Sequence, residues 1–387
     1  MSAARSSTAP PRAAAVTGVP APRPDLEGLT PYGAPQIDVP HLLNVNENPF
    51  PPSEDLAADL GRAVQQAARD LNRYPDREFE DLRADLADYL AHESRIPAPD
   101  VGQVWAANGS NEVMHQLLSA YGGPGRRALG FAPHYSMYPQ YARDTFTAWE
   151  VADRGPAPGF ALDVDDVLTA LAVHRPDIVV LTSPNNPTGT ALDIAVVRAA
   201  AQSQAERGGL VIVDEAYAEF RRDGVPSALT LLPEHPNLVV SRTLSKAFAL
   251  AGARIGYLVA APQIVDTVRI VRLPYHLSAV TQAVARTALA HRDELLGQVE
   301  VLRHERDLLA EHLRSRGSTV APSDANFLLF TVRRDRHLVW QDLLARGVLV
   351  REVGPEGWLR VSVGTPEDNA AFRSALEASD PLEATPR

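Results

Sequence analysis

Short apolar runs and amphipathic stretches alternate along the middle of the chain. Runs that are apolar at nearly every position predict buried strands, and they lie at 104–107, 127–131, 177–181, 210–213 and 238–240. Leu, Ala and Val recur at helical spacing before and between these runs, which predicts helices at about 54–71, 78–92, 110–121 and 194–207. Strands that alternate with helices favour an α/β fold with a mainly parallel sheet.

The pattern changes after about residue 262, where helical spacing dominates. The apolar pattern at 281–316 exceeds the usual length of a helix, so we expect a break near 291–293. Beyond it, the pattern predicts strands at 327–332, 348–351 and 358–364, a helix at 338–346, and a last helix that Thr365 caps and Pro366 begins. This part of the chain therefore predicts a smaller α+β domain.

Four segments follow from these patterns. We expect a disordered tail at 1–27, an arm and part of the smaller domain at 28–70, the large domain at 71–275, and the smaller domain at 276–387. The tail is rich in Ala, Pro, Ser and Arg and lacks the apolar centre of a signal peptide, although a transit peptide is an alternative interpretation.

Composition narrows the function classes. A net charge of −11 disfavours nonspecific binding to nucleic acid or to an anionic membrane. The chain has no cysteine, so disulfides, thiolate metal sites and cysteine nucleophiles are excluded, and its 11 histidines show no metal-binding spacing. No apolar run approaches the roughly 20 residues of a membrane helix. We therefore expect a cytoplasmic globular protein without a metal site.

Lys246 is the only lysine among 37 Lys and Arg residues. Arginine is always charged, whereas a desolvated lysine can lose its proton, attack a carbonyl and form a Schiff base. The principal cofactor held in this way is pyridoxal phosphate (PLP). Thr243, Ser245 and Arg254 surround Lys246 in the sequence with the hydroxyls and fixed cation that suit a phosphate. The alternative is a surface lysine without function.

Polar residues follow several of the predicted strands. Ser110 and Asn111 begin a helix just after a strand, which creates either a simple cap or an anion site. Tyr135 is either a ring that stacks on a ligand or a core residue. Asn186 lies in a proline-bounded turn, and Asp214 ends a buried strand, where it either caps a turn or pairs with a protonated pyridine nitrogen.

Together these residues resemble the fold-type I PLP enzymes of the aminotransferase class I/II group, and within it the histidinol-phosphate aminotransferases of actinobacteria. The resemblance covers about 28–375. The superfamily motifs are Ser-Pro-Asn-Asn-Pro-Thr-Gly at 183–189, Asp-Glu-Ala-Tyr at 214–217, and Thr-Leu-Ser-Lys at 243–246 with Arg254. The subfamily motifs are Leu-Thr-Pro-Tyr at 29–32, Asn-Glu-Asn-Pro at 46–49, Asn-Arg-Tyr-Pro at 72–75, Arg-Leu-Pro-Tyr at 272–275 and Leu-Arg-Val-Ser at 359–362.

The resemblance implies a PLP site in the large domain. Lys246 would hold the cofactor as a Schiff base and, once released, transfer a proton. Asp214 would keep the pyridine nitrogen protonated, Asn186 and Tyr217 would hydrogen-bond the phenolic oxygen, and Tyr135 would stack on the ring. The cofactor phosphate would be held by hydroxyl, amide and guanidinium groups, those of Ser110, Asn111, Thr243, Ser245 and Arg254.

The resemblance also implies a substrate site and a partner. Arg360 would bind the anionic end of each substrate in turn, and Tyr32 and Arg351 would help to bind the phosphate of histidinol phosphate. Tyr74 would reach the cofactor phosphate of a neighbouring subunit, so the protein would act as a homodimer. A packed loop aromatic is the alternative for Tyr74.

Alternative functions share this scaffold. Aromatic amino-acid aminotransferases and a threonine-phosphate decarboxylase are close relatives of the resembled group, and Val45 stands where actinobacterial relatives commonly have Thr. A PLP-sensing transcription regulator would need a basic DNA-binding domain, and the N-terminal segment is too short and lacks a helical pattern. The expected reaction is amino transfer between L-histidinol phosphate and 2-oxoglutarate.

Overall fold

A computed structural model describes residues 20–381, and the chain divides into two compact units at Pro35. In the first unit, residues 20–35 contain one 3-10 turn, Pro24–Leu26. Most of the predicted tail, residues 1–19, lies outside the described residues. All other elements belong to the second unit, Gln36–Arg387.

A seven-stranded sheet forms the centre of the second unit. Its strands are β2 (Val104–Ala107), β3 (Arg127–Ala132), β4 (Ala148–Asp153), β5 (Ile178–Thr182), β6 (Leu210–Asp214), β7 (Leu238–Thr243) and β8 (Gly256–Ala260). The order is β2-β8-β7-β6-β5-β3-β4. Neighbours from β7 to β4 pair in parallel, whereas β8 is antiparallel to both β7 and β2. This confirms the predicted mainly parallel sheet.

Except for the edge strand β4, the strands are buried because their residues are apolar at nearly every position, as in a sheet covered on both faces. Eight helices belong to this part of the second unit: α1 (Glu54–Ala68), α2 (Glu80–Ser94), α3 (Ser110–Tyr121), α4 (Tyr138–Asp144), α5 (Val164–His174), α6 (Ile194–Ala205), α7 (Pro262–Val271) and α8 (Ala279–Ala290). Helix α3 packs against α7 and β8, α5 packs against α6, and α1 and α2 pack against α8.

The C-terminal elements form a second apolar cluster. They are α9 (Arg292–Ser315), β9 (Phe327–Thr331), α10 (Arg336–Ala345), β10 (Val348–Leu349), β11 (Trp358–Ser362) and α11 (Pro366–Ser379). Strand β11 is antiparallel to β9, and β10 pairs in parallel with the N-terminal β1 (His41–Leu42). The pairing of β1 shows that an N-terminal segment joins the C-terminal elements.

Helix α9 contributes to both apolar clusters. Leu295, Val299 and Leu302 lie in the first cluster, whereas Leu309 and Leu313 lie in the second. The predicted break near 291–293 is confirmed, since α8 ends at Ala290 and α9 begins at Arg292. None of the helices between residues 20 and 381 combines the length and apolar character that crossing a membrane requires.

Candidate active site

The carboxyl ends of three neighbouring parallel strands bring the predicted polar residues to one edge of the sheet. In the register of β5, β6 and β7, Thr182 pairs with Asp214 and Asp214 pairs with Ser241. The turn at 183–189 therefore leaves β5 on one side of the end of β6, and the loop that carries Lys246 leaves β7 on the other side. Ligands of open α/β sheets bind at this edge.

Lys246 lies in the loop after β7, and its Nζ donates a hydrogen bond to the carbonyl oxygen of Val45 at 2.9 Å. The pKa of Lys246 is lowered to about 8, chiefly by burial and also by the nearby charges of Arg360 and Arg254, while Glu47 acts in the opposite direction. An amine with this pKa has an accessible uncharged form near neutral pH, which a nucleophile or base requires.

Two side-chain amides converge on the hydroxyl of Tyr217. Asn186 donates to Tyr217 Oη from Nδ2 at 3.3 Å, and Asn46 donates from Nδ2 at 3.0 Å. The orientation of the Asn186 amide follows from Arg360, whose Nη1 donates to Asn186 Oδ1 at 2.6 Å. Arg360 also donates from Nη2 to the carbonyl of Asn44 at 2.7 Å. Asn186, Tyr217 and Arg360 are therefore one connected group.

Asn46 is a residue of this site whose role the sequence did not indicate. It is buried and has a left-handed φ of 57°, a conformation that Asn tolerates better than most residues. Ser362 Oγ bonds both its N–H (2.9 Å) and its Oδ1 (3.0 Å), and Asn326 donates to its carbonyl at 3.1 Å. Its side-chain NH₂ is thus directed at Tyr217. The signal in the sequence was the Asn-Glu-Asn-Pro motif at 46–49.

Asp214 ends β6 as a buried carboxylate. Its Oδ2 accepts a hydrogen bond from Tyr138 Oη at 2.7 Å, and its Oδ1 accepts from the N–H of Ala216 at 3.2 Å. Burial raises the pKa of Asp214, and these two hydrogen bonds oppose the shift. Tyr138, which begins α4, was also not predicted as a site residue.

A third group of polar residues surrounds the start of α3. Gly109 precedes the helix with φ 83°, and a Cβ there would lie 2.7 Å from Arg254 Nη2. A Cβ on Gly256 of β8 would lie 2.1 Å from the N of Ser110. The two glycines therefore allow the Arg254 guanidinium and β8 to approach the free N–H groups of the helix. Asn111 is exposed in the first turn of α3.

The loop after β7 contributes hydroxyls near the same strand. Thr243 Oγ1 lies 2.9 Å from Ser245 Oγ and 2.9 Å from the carbonyl oxygen of Ile255. Both hydroxyl residues are buried. Thr243 also pairs with Gly256 in the β7–β8 ladder. Because a Cβ on Gly256 would meet Ser110, this ladder places Thr243 next to the strand that contacts the start of α3.

Tyr135 lies in the loop between β3 and α4 and is half-buried. Its ring contacts the ring of Tyr138 edge-on, with centroids 5.7 Å apart and an interplanar angle of 87°. Since Tyr138 hydrogen-bonds Asp214, Tyr135 lies near the buried carboxylate.

Arg351 and Arg360 are direct partners in an antiparallel bridge. The N–H of each donates to the carbonyl of the other at 2.9 Å. Opposite residues of an antiparallel pair present their side chains on one face, so the Arg351 side chain leaves the ladder on the side from which Arg360 reaches Asn186. Tyr32 belongs to the first unit, where it is exposed, and its substrate role stays a prediction.

Tyr74 follows α1 and is 79% exposed. Its ring stacks on Tyr275, with centroids 4.4 Å apart and an interplanar angle of 16°. Several exposed apolar side chains belong to the same two segments: Leu71, Ile270 and Leu273. Tyr74 is thus accessible to a neighbouring molecule.

Comparisons with known proteins show which chains are similar. The sequence model of the family described as aminotransferase class I and II matches residues 40–376. Curated relatives named histidinol-phosphate aminotransferase are 58% identical in Thermobifida fusca, over 92% of this chain and 94% of the relative, and 53% identical in Rhodococcus opacus, over 94% and 93%.

Solved structures have the same fold. A histidinol-phosphate aminotransferase from Sinorhizobium meliloti in complex with pyridoxal-5'-phosphate has a TM-score of 0.77 at 23% identity, covering 89% of this chain and 92% of that one. An aspartate aminotransferase from Thermus thermophilus with maleate has a TM-score of 0.76 at 26% identity, with the same coverage of each chain. The predicted fold-type I architecture is confirmed.

Proposed function

The chain belongs to the family of class I and II aminotransferases, and on this premise we propose that it interconverts L-histidinol phosphate and 2-oxoglutarate with imidazole-acetol phosphate and L-glutamate. This is a reaction of histidine biosynthesis. The relatives of this name, identical at more than half of the aligned positions, support the substrate. The observation that carries the proposal is Lys246, a half-buried amine with a pKa of about 8 at the sheet edge, near the charges of Arg360 and Arg254.

We propose PLP as the cofactor because three features of the chain fit its three ends. Lys246 has an accessible uncharged amine, which can attack the carbonyl carbon of the cofactor. Asp214 is a buried acceptor for a protonated ring nitrogen. The two glycines beside Ser110 and Arg254 leave the N–H groups of α3 and a guanidinium open to a phosphate.

Bound PLP supplies an electron sink for the carbon that carries the substrate amino group. The residues of the chain bind and orient around this sink. Lys246 Nζ can release and accept a proton near neutral pH. Tyr217 Oη is held by two amide donors and would hydrogen-bond the phenolic oxygen of the ring. Asn186 connects Tyr217 Oη to Arg360.

The substrate end of the site is cationic. Arg360 is buried, and its guanidinium lies 5.1 Å from the ring centroid of Phe327, which restricts its position. We propose that it binds the carboxylate of glutamate and the phosphate of histidinol phosphate in turn, since both anions accept bidentate hydrogen bonds from arginine. Arg351, on the same face of the ladder, and Tyr32 would add to the phosphate site.

We further propose that the enzyme is a cytoplasmic homodimer in which Tyr74 reaches the cofactor phosphate of the partner. The support is its 79% exposure next to exposed Ile270 and Leu273. Apolar patches of this kind mark protein interfaces. The division into a cofactor-binding domain at 71–275 and a smaller domain at 276–387 is likewise a proposal. The second apolar cluster supports a smaller C-terminal domain, whereas α8 and the first half of α9 pack in the first cluster.

Subunit complementation tests the shared site. In mixed dimers of Lys246→Ala and Tyr74→Ala chains, a site that combines Lys246 of one chain with Tyr74 of the other is intact. We expect mixing to restore activity to about a quarter of the wild-type level, since random pairing gives half mixed dimers with one intact site each. If mixing restores nothing while the mixed dimers form, Tyr74 serves its own chain.

The proposed reaction is tested by half-reactions of the PLP-loaded protein. L-Histidinol phosphate, L-glutamate and L-phenylalanine are each added without an oxo acid, and the visible absorption of the bound cofactor is followed. We expect rapid loss of the band with the first two and slow loss with phenylalanine. Lys246→Ala is the control, because it removes the amine without adding charge.

Other outcomes would assign another reaction. Rapid conversion by phenylalanine and none by histidinol phosphate would indicate an aromatic aminotransferase. Release of CO2 from an amino-acid substrate would indicate a decarboxylase. A protein that shows no visible band after addition of PLP would contradict the proposal at its first step.

A further inference from the structure

We propose that Tyr138 is a positioning residue that holds the Asp214 carboxylate in its anionic form and facing the cofactor, and that Thr182 and Arg154 support it from behind. The inference rests on the proposed function and assigns roles to three residues that no motif singled out.

The hydroxyl of Tyr138 makes the shortest contact of the buried Asp214 carboxylate. Tyr138 Oη donates to Asp214 Oδ2 at 2.7 Å, and the N–H of Ala216 donates to Oδ1 at 3.2 Å. Tyr138 and Asp214 are 2% and 6% exposed. Each carboxylate oxygen is thus held by one donor, which fixes the plane of the group. A carboxylate has about four lone-pair sites, so sites facing the ligand edge can still accept a hydrogen bond.

Thr182 connects the phenol to the neighbouring strand. Its Oγ1 lies 3.3 Å from Tyr138 Oη, and its residue pairs with Asp214 in the β5–β6 register. The phenol therefore lies across the ends of two strands.

Arg154 lies behind this pair, directly after β4. It is 6% exposed, and its Nη2 donates to the carbonyl of Thr182 at 3.3 Å. Within residues 20–381, its Nε and Nη1 have no hydrogen-bond partner. Burial lowers the pKa of Arg154 to about 10, and the group that raises it is Tyr138. Arg154 is thus a buried cation without a carboxylate partner among the described residues, and it contacts Thr182, the residue whose hydroxyl lies beside the phenol.

The order of charges explains what the phenol does. A cation on one side and a carboxylate on the other both favour a Tyr138 O–H that points at Asp214, and a charge-assisted hydrogen bond in a buried site is stronger than a neutral one. Packing alone would not need the hydroxyl, since the ring of Tyr138 contacts the rings of His134, Tyr135 and Trp149. The other titratable groups that act on the pair are Glu215 on Asp214 and Tyr141 on Tyr138, with His134 at ring distance.

The test is Tyr138→Phe, with Tyr89→Phe as the matched control. Tyr89 is fully buried and donates to the Glu219 carboxylate at 2.8 Å, so both variants lose one buried tyrosine–carboxylate hydrogen bond. Only Tyr138 lies at the sheet edge of the site. The measurements on the full-length protein are the dissociation constant of PLP across neutral pH and the melting temperature of the cofactor-free protein.

We expect both variants to melt at lower temperature, and Tyr138→Phe alone to weaken PLP binding, by about tenfold. The loss should grow toward acidic pH. Without the phenol, only the N–H of Ala216 opposes the effect of burial on the pKa of Asp214, so the carboxyl is protonated over more of the range and loses its attraction for a protonated ring nitrogen. Arg154→Met should shift binding in the same direction by a smaller factor.

A double-mutant cycle with Asp214→Asn assigns the effect to the pair. The Tyr138→Phe effect should vanish when the carboxylate is already absent. Equal weakening of PLP binding by Tyr89→Phe, unchanged binding in Tyr138→Phe, or an effect that persists with Asp214→Asn would each overturn the inference. A wild-type protein that binds no PLP would overturn the proposed function, and this inference with it.

Discussion

Two consecutive residues, Asp214 and Glu215, hold buried carboxylates with very different surroundings. Glu215 accepts hydrogen bonds from Ser227 Oγ and Ala228 N at 2.7 Å and from Nε and Nη2 of Arg242 at 3.0 and 2.8 Å. Asp214 accepts only from Tyr138 and the N–H of Ala216 among the described residues. Burial is similar, with 2% and 6% exposed. A carboxylate with four donors is saturated, whereas one with two can still bind a ligand.

The saturated side belongs to a network around Arg242. This arginine is fully buried and also pairs with Glu93 at 2.6 Å, while Glu219 lies 3.8 Å away. The cation lowers the pKa of Glu93 to about 2 against the effect of burial. Strand β6 therefore ends in Asp214, which has free hydrogen-bonding capacity for a ligand, and the next residue, Glu215, belongs to a saturated buried network. Open hydrogen-bonding capacity, and not burial or charge, distinguishes the two.

Of the variants proposed here, Lys246→Arg is expected to have the largest effect, a loss of activity at the candidate active site that contains Asp214. Arginine keeps a positive charge but cannot be deprotonated. We expect kcat/KM to fall at least about a thousandfold, in the range of a lost general base, with an unchanged circular dichroism spectrum. A variant that kept a tenth of the rate would show that the free amine is dispensable.

Arg242→Met breaks the structural side. It leaves Glu219 buried without its cation, and Glu93 and Glu215 with Arg221 as their remaining cation. We expect the free energy of unfolding to fall by about 3–5 kcal/mol, as measured by urea denaturation. The control is Arg286→Met, which removes an exposed pair with Asp85 and should cost less than about 1 kcal/mol. Equal losses in both variants would contradict the distinction.

Arg360→Ala tests the binding of the substrates separately from the binding of the cofactor. Under the proposal that Arg360 binds both anions in turn, KM should rise for L-glutamate and for L-histidinol phosphate, by about thirtyfold or more. Arg351→Ala is the comparison, and we expect it to raise KM for histidinol phosphate alone. A rise in KM for only one substrate in Arg360→Ala would contradict the proposal that Arg360 binds both anions.

Glu219→Gln tests the smallest effect, on the structural side. Burial, with Glu93 nearby, raises the pKa of Glu219 from 4.5 to about 7. The group therefore stabilises the fold below about pH 4.5, and this contribution is lost as the pH rises to about 7. The glutamine variant should flatten the decline of unfolding free energy over this range. A wild-type slope in the variant would show that Glu219 does not titrate there.

The sequence predicted the elements whose pattern is local. Strands such as β5 and β6 were found because they are apolar throughout, and the break before α9 was found because the pattern was too long for one helix. The region of α4, β4 and α5 was not predicted. Strand β4 is an edge strand whose residues are all half-buried or exposed, and it lacks the continuous apolar run of its neighbours.

The residues at the centre of the site were predicted where a motif carries them, and their partners were not. Tyr138 lies 76 residues before Asp214, and Asn46 lies 171 residues before Tyr217. Neither hydrogen bond leaves a local pattern, because each depends on how distant strand ends and loops meet. In the sequence, no pattern distinguishes Tyr138, and Asn46 stands out only as part of the motif at 46–49.

Lys246, whose Nζ donates to the Val45 carbonyl, is the only lysine of the chain, so reagents specific for lysine side chains act at a single position. A protease specific for lysine has one peptide bond to cleave in the polypeptide, the one before Ala247. If a Schiff base between Lys246 and a carbonyl compound is reduced to a secondary amine, the protease can no longer cleave the denatured chain at this bond. The ratio of cut to uncut polypeptide on a gel would then count occupied sites, without any absorbance and without a turnover assay.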